Sequence, residues 1–130
     1  MGVTIEFEHG IDIYSRKSAK DHADEKKRFA VADITYPEKY SNGRYHRGFL
    51  IYVRPTIYET EPLDVLNYAN SNDAFPNQST GDQFFDEKQF EAYRGLGFYT
   101  IENMIGDKTP KDLEILVNML KHTPAPTGKS

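Results

Sequence analysis

Between Phe75 and Phe85 the chain reads FPNQSTGDQFF. Two hydroxyl groups, Ser79 and Thr80, stand beside two further polar side chains, Asp82 and Gln83. A serine or threonine becomes a nucleophile only when a base takes its proton and amides stabilise the charge that develops. The nucleophile elbow that arranges both has the pattern G-x-S-x-G between a strand and a helix. Here Asn77 stands where the first glycine belongs, and no strand is expected directly before it. The candidate bases are His9, His22, His46 and His122. His22 falls in a charged run, His46 in a turn and His122 near the C-terminal end, all places where a histidine is expected to be solvated. The loop therefore admits three readings: an active-site loop, a surface loop held by its apolar ends, or the docking edge of a larger whole.

Other chemistries find less support. No H-x-x-x-H or H-E-x-x-H pair exists, and Asp12, Asp21 and Asp24 do not fit a calcium loop, which needs a glycine and a glutamate at fixed positions. No metal or other cofactor is expected. Phosphate cradles of the G-x-x-x-x-G-K-[ST] or G-x-G-x-x-G type are absent, and the run RGLG at 94–97 lies inside an expected helix, where packing is its role. Glu59 with Glu61, and Asp82 with Asp86, are paired carboxylates. Without a cleft to raise one pKa they read as caps and solvated surface. Arg54 ends an apolar run, so its guanidinium is expected to meet a carboxylate or a group of carbonyls.

Composition narrows the classes further. The chain has 130 residues and a net charge of −4, enough for one modest core. A mildly acidic chain without a basic tract is a poor binder of nucleic acid or anionic membranes. Nine Tyr and eight Phe could stack on RNA bases, but the basic flanks this requires are missing. The mixed-sign run at 16–28, RKSAKDHADEKKR, reads as a solvated linker or an exposed helical turn. There is no cysteine, which fits a reducing cytosol. No apolar run reaches the roughly 20 residues that span a bilayer, so a membrane could be met only peripherally, through a parent protein.

The elements that must position these groups come in a clear order. Val3–Phe7 alternates apolar and polar side chains, as a half-buried strand does, and Ile11–Tyr14 could continue it beyond Gly10. Phe29–Tyr36 is a second strand, ended by Pro37, and 48–54 a third, with the turn pair Asn42-Gly43 inside a long connection. The unbroken apolar run FLIYV at 49–53 predicts cover on both faces. Thr60 is placed to cap a helix from Glu61-Pro62, with Pro62, Val65, Leu66 and Ala69 on one face. Asp86 with Gln89 predicts a capping box, followed by a stripe of Phe90, Tyr93, Gly97, Ile101 and Met104 that Leu96 and Ile105 widen. An interior glycine on that stripe marks close backbone approach. Gly106 ends that helix, and Asp112 opens a last one with Leu113, Leu116, Val117 and Leu120 inward. The expected fold class is α+β: a small antiparallel sheet of about three strands in the N-terminal half, packed with about three helices in the C-terminal half. Residues 1–122 form one domain in this reading, with 123–130 a disordered tail. A sheet this small has exposed edges unless something covers them.

Four segments within residues 48–97 are specific: Arg54-Pro55-Thr56, Glu61-Pro62-Leu63-Asp64-Val65, Phe75 to Phe85, and Gln89 to Gly97. Together they resemble the C-terminal part of large bacterial patatin-like phospholipases. Those carry a Lys-Pro-Ser-like step, a Glu-Pro-x-Asp-Val helix start, a Phe-Pro-x-x-Ser-Thr-x-Asp-Gln-aromatic-Phe loop and a Gln-Phe-Glu-x-Tyr-Arg-x-Leu-Gly helix. Arg54 and Gly81 depart mildly from the pattern. The resemblance implies lipid acyl-ester hydrolysis by a Ser–Asp dyad in the parent enzymes. The dyad motifs, G-x-S-x-G and Asp-Gly-Gly or Asp-Gly-Ala, are not in this chain, so no catalytic residue carries over.

Two functions follow as expectations. In the first, the chain is a non-catalytic accessory region that packs on an upstream patatin-like hydrolase domain or on a second copy of itself. In the second, it is an independent protein-binding or regulatory module. The loop is then a packed connection. Phe75 and Phe84 or Phe85 anchor its ends, and Ser79, Thr80, Asp82 and Gln83 serve backbone groups that no ladder serves. At lower weight, those four residues and Arg54 line a binding groove.

Overall fold

The computed structural model describes residues 2–11, 13–16, 26–81 and 84–122. Asp82, Gln83, His22 and the 123–130 tail, about which the sequence raised expectations, lie outside the described residues. Three strands come first: β1 (Thr4–Phe7), β2 (Phe29–Lys39) and β3 (Tyr45–Val53). Three helices follow: α1 (Leu63–Ser71), α2 (Glu87–Ile105) and α3 (Leu113–Lys121). The strands form one antiparallel sheet in the order β1-β2-β3, and the arrangement is α+β.

The β2–β3 hairpin is longer and its turn tighter than the sequence suggests. β2 does not stop at Pro37 but runs through it to Lys39. The register shifts between Thr35 and Lys39, and such a bulge tolerates a residue with no N–H to give the ladder. At the tip, Tyr40 N–H donates to Arg44 O at 2.8 Å and Gly43 N–H to Tyr40 O at 2.9 Å. Asn42 Oδ1 accepts from Arg44 N at 3.0 Å, and Gly43 holds φ +81°, which a side chain would oppose. Near the N-terminus, Gly10 turns the chain with φ +72°. Ile11, Ile13 and Tyr14 consequently lie outside the strands instead of extending β1, and Ile13 is buried.

The larger correction concerns FLIYV. β3 is an edge strand, and Phe49, Leu50 and Tyr52 are exposed. An unbroken apolar run reads as a strand covered on both faces, but Phe49 on one face and Leu50 and Tyr52 on the other stay exposed. α3 meets the sheet through Lys121, whose Nζ lies 2.8 Å from Asp33 Oδ1 and 4.6 Å from the Phe49 ring centre.

The principal core forms between α1 and α2: Ile57, Val65, Ala69, Phe75, Ala92 and Leu96. The cap positions follow local chemistry. Asp86 accepts from Gln89 N at 2.7 Å and Asp112 from Ile115 N at 2.8 Å, while Gly106 closes α2 at φ +63°. Thr60 is not the cap of α1. Pro62 occupies that position without a side-chain cap bond.

α2 turns inward only part of the expected stripe: Leu96 is buried and Tyr93, Met104 and Ile105 are half-buried. Gln89, Ala92, Leu96 and Thr100 are buried, Tyr93 is half-buried, and Phe90, Gly97 and Ile101 are exposed. The close helix approach uses Gly95, where an added Cβ would lie 3.1 Å from Val65 Cγ2. Gly97 has open space around its Cα. Gly97→Ala should therefore raise stability by about 0.8–1 kcal/mol, the ordinary helix-interior difference, read as a higher melting temperature. Gly95→Leu should lower it, because the larger side chain must force α1 away. In α3, Val117 and Leu120 are buried and Leu113 is exposed, a narrower stripe than the spacing predicts.

Candidate functional site

The loop after α1 is clasped between α1 and α2. Phe75 is fully buried and meets Tyr68 and Tyr93 edge-on, with ring centres 5.1 and 4.8 Å away. Tyr93 Oη donates to Pro76 O at 3.1 Å and accepts from Gln78 N at 3.3 Å. Gln78 Nε2 donates to Tyr68 Oη at 3.3 Å, and Gln89 Nε2 donates to Gln78 Oε1 at 3.1 Å. Arg16 reaches across from the N-terminal segment and donates to the carbonyls of Asn72 and Phe75 at 3.0 and 3.2 Å. Every one of these bonds fixes the loop's backbone or its neighbours.

Ser79 takes an ordinary turn role. Ser79 Oγ accepts from Gly81 N at 3.1 Å, and Thr80 is exposed. Phe75 is an anchor as expected, whereas Phe84 is 90% exposed and is not. Phe85 is half-exposed and meets the Tyr93 ring at 6.0 Å. The pattern of apolar ends is symmetrical in sequence, but α1 and α2 offer a pocket to the first end. Arg54 meets a carbonyl: its Nη1 donates to Ile13 O at 3.2 Å. Of the five residues that could line a groove, the structure places Arg54 just after β3 and Ser79 and Thr80 on the loop, while Asp82 and Gln83 lie outside the described residues. Among the histidines, His46 stacks on Tyr40 with centres 3.7 Å apart, and the His122 ring bonds Asn118 O at 2.7 Å.

A second polar junction was not legible. Arg28 and Glu61 are buried, with side chains 6% and 0% exposed, and Arg28 Nη2 lies 2.6 Å from Glu61 Oε1. Glu61 Oε1 also accepts from Tyr58 N at 3.0 Å, and Oε2 accepts from Thr60 N at 3.0 Å. The carboxylate thereby brackets Glu59, held at φ +65°. Tyr58 and Tyr99 flank the guanidinium at 4.8 and 5.3 Å. Tyr99 Oη donates to Thr60 O, and Tyr58 Oη to Lys27 O, both at 2.6 Å. So the mixed-sign run is not solvated at its end, and Glu61 is not surface. The one local signal was that Arg28 abuts the start of β2, where a side chain has little room to leave the protein. With every contact internal, the junction ties the sheet's start to the α1 approach and to α2.

A polar groove of about 580 Å³ runs between α1 and α2, with Asp64, Asn67, Lys88 and Glu91 in its walls. Arg94 donates to Glu91 Oε2 at 2.9 and 2.7 Å and holds that carboxyl below its usual range. Both partners are more than half exposed, so the pair is a solvated rim.

The remaining feature is the sheet's open face. Cross-strand partners share a face and successive residues alternate. The register therefore puts Ile5, Phe7, Ala30, Ala32, Ile34, Gly48, Leu50 and Tyr52 on one side. The Tyr36 ring lies over Gly48 on that side, 3.4 Å from where a Cβ would sit. Ile5, Tyr36, Leu50 and Tyr52 keep 50%, 37%, 36% and 39% of their surface, around a fully buried Ala32. These four side chains put apolar or aromatic surface on one side of the sheet in contact with solvent.

Among the described residues, no group of three His, Cys, Asp or Glu is placed to hold a metal, and no helix is long and apolar enough to cross a membrane. Compared with known proteins, the chain matches no family model, no curated protein and no solved structure.

Proposed function

We propose that this chain is a non-catalytic docking module, the accessory region against which the acyl-hydrolase domain of a patatin-like phospholipase packs. The observation that carries it is the open sheet face of Ile5, Tyr36, Leu50 and Tyr52, a half-covered layer of the kind that stable domains bury against another element. The likeness of residues 48–97 to the C-terminal part of those enzymes supplies the partner. The loop motif that carries much of that likeness spends Phe75, Gln78 and Ser79 on internal contacts, which suits a part that holds shape.

Mixing the chain with a patatin-like hydrolase domain that carries G-x-S-x-G tests the proposal by co-elution in gel filtration. Wild-type chain should co-elute, and Leu50→Asp with Tyr52→Asp should elute alone while keeping its circular dichroism spectrum. Co-elution of that double variant would show that another surface binds. The chain alone should hydrolyse a chromogenic ester no faster than buffer. Turnover above background would instead make it an enzyme.

A further inference from the structure

We infer that β3 is also a pairing edge, and that its partner is the β3 of a second copy of this chain. This goes beyond face docking and uses different groups: the main-chain amides of one strand. Among the described residues nothing pairs with β3 on its outer side. Arg54 N–H donates to Arg28 O at 2.9 Å, which fixes the alternation of the ladder. The amides of Gly48, Leu50 and Tyr52 then point to β2, and those of Arg47, Phe49, Ile51 and Val53 point outward. The strand is nine residues long and has no proline. Among the described residues it therefore offers a row of unused backbone donors and acceptors, the template that invites another strand.

The sheet's two edges differ in a way that selects the occupant. β1 is four residues long, carries Glu6 and is followed by Glu8, so it is short and charged, as blunted edges are. Two copies joined at β3 about a two-fold axis make a six-stranded antiparallel sheet that ends on both sides in β1. Growth stops at two, as an isologous contact requires. A register centred on Phe49 pairs all nine residues and places Arg47 opposite Ile51, so the two guanidinium groups stay apart. Across the junction Phe49 then faces its own copy on one side of the sheet, and Leu50 lies beside Gly48 of the second copy on the other.

Light scattering across a concentration series tests this, with amide exchange on the same samples. The mass should rise toward twice the 15.0 kDa of one chain. As it does, the amides of Phe49 and Ile51 should slow their exchange, while those of Leu50 and Tyr52 stay protected throughout. Phe49→Glu should return the mass to one chain. In the monomer the new carboxylate lies within reach of Lys121, whereas at the axis it meets its own copy. A single-chain mass at every concentration, or a doubled mass with outward amides still exchanging freely, overturns the proposal. So does a folded Phe49→Glu that remains dimeric. If that variant unfolds, the wild-type exchange pattern decides alone. Loss of self-pairing would leave the face-docking reading standing, because Leu50 and Tyr52 are tested separately.

Discussion

Glu61→Ala should lower stability by about 3–5 kcal/mol, the usual loss when one partner of a buried ion pair is removed. For a chain of this size that is a fall of roughly 10–20 °C in melting temperature. The change leaves the Arg28 charge in a site where its side chain is only 6% exposed, with its Nε already without a hydrogen-bond partner. It also takes the acceptors from Tyr58 N and Thr60 N, so the turn that holds Glu59 at φ +65° loses both of its braces. Glu61→Gln keeps the shape and one acceptor and should fall between the wild type and alanine. Arg28→Met combined with Glu61→Leu removes the orphaned charge and should recover part of the loss, leaving the two unserved N–H groups. Thermal melts followed by circular dichroism measure all four proteins. An alanine variant that melts within a degree or two of the wild type would mean that the pair is not buried in solution.

Phe75→Ala should be comparably severe, at about 3–5 kcal/mol, because a fully buried aromatic ring leaves both its transfer energy and a cavity behind. The cavity opens against Tyr68 and Tyr93, which meet the ring edge-on, and beneath carbonyls that Arg16 ties down. Phe84→Ala is the control, since that ring is 90% exposed. It should change stability by less than about 0.5 kcal/mol, as surface substitutions do. Equal losses from the two would restore the symmetrical picture of a loop anchored at both ends. Melting curves of the two variants side by side settle the matter.

The contrast between these residues shows what the sequence can carry. Local devices were legible because their physics lies within a few positions: the Asn42-Gly43 turn, the Asp86 and Asp112 caps, the Gly106 stop. The antiparallel sheet and three helices followed from period and punctuation. The inward face of α2 was legible only in part, at Leu96 and Tyr93, because Phe90, Gly97 and Ile101 extend the apolar stripe onto the exposed side. The stripe that is buried contains Gln89 and Thr100, whose partners are Gln78 Oε1 and the Leu96 carbonyl. Periodicity counts apolar residues and cannot foresee that a polar one is satisfied. Arg28 and Glu61 were hidden for the same reason, since each looks solvated until the chain brings them together. FLIYV misled in the opposite direction: its apolarity signals cover, and a partner's surface can supply the cover that the chain does not.

That last idea is the centre of the account, and calorimetry tests it most directly. Titrating this chain into a patatin-like hydrolase domain at several temperatures gives the heat-capacity change of binding, the robust mark of apolar surface leaving water. Binding should be saturable with a clearly negative heat-capacity change, lost in the Leu50→Asp, Tyr52→Asp double variant. No binding heat at any temperature, or binding that the double variant retains undiminished, would contradict it.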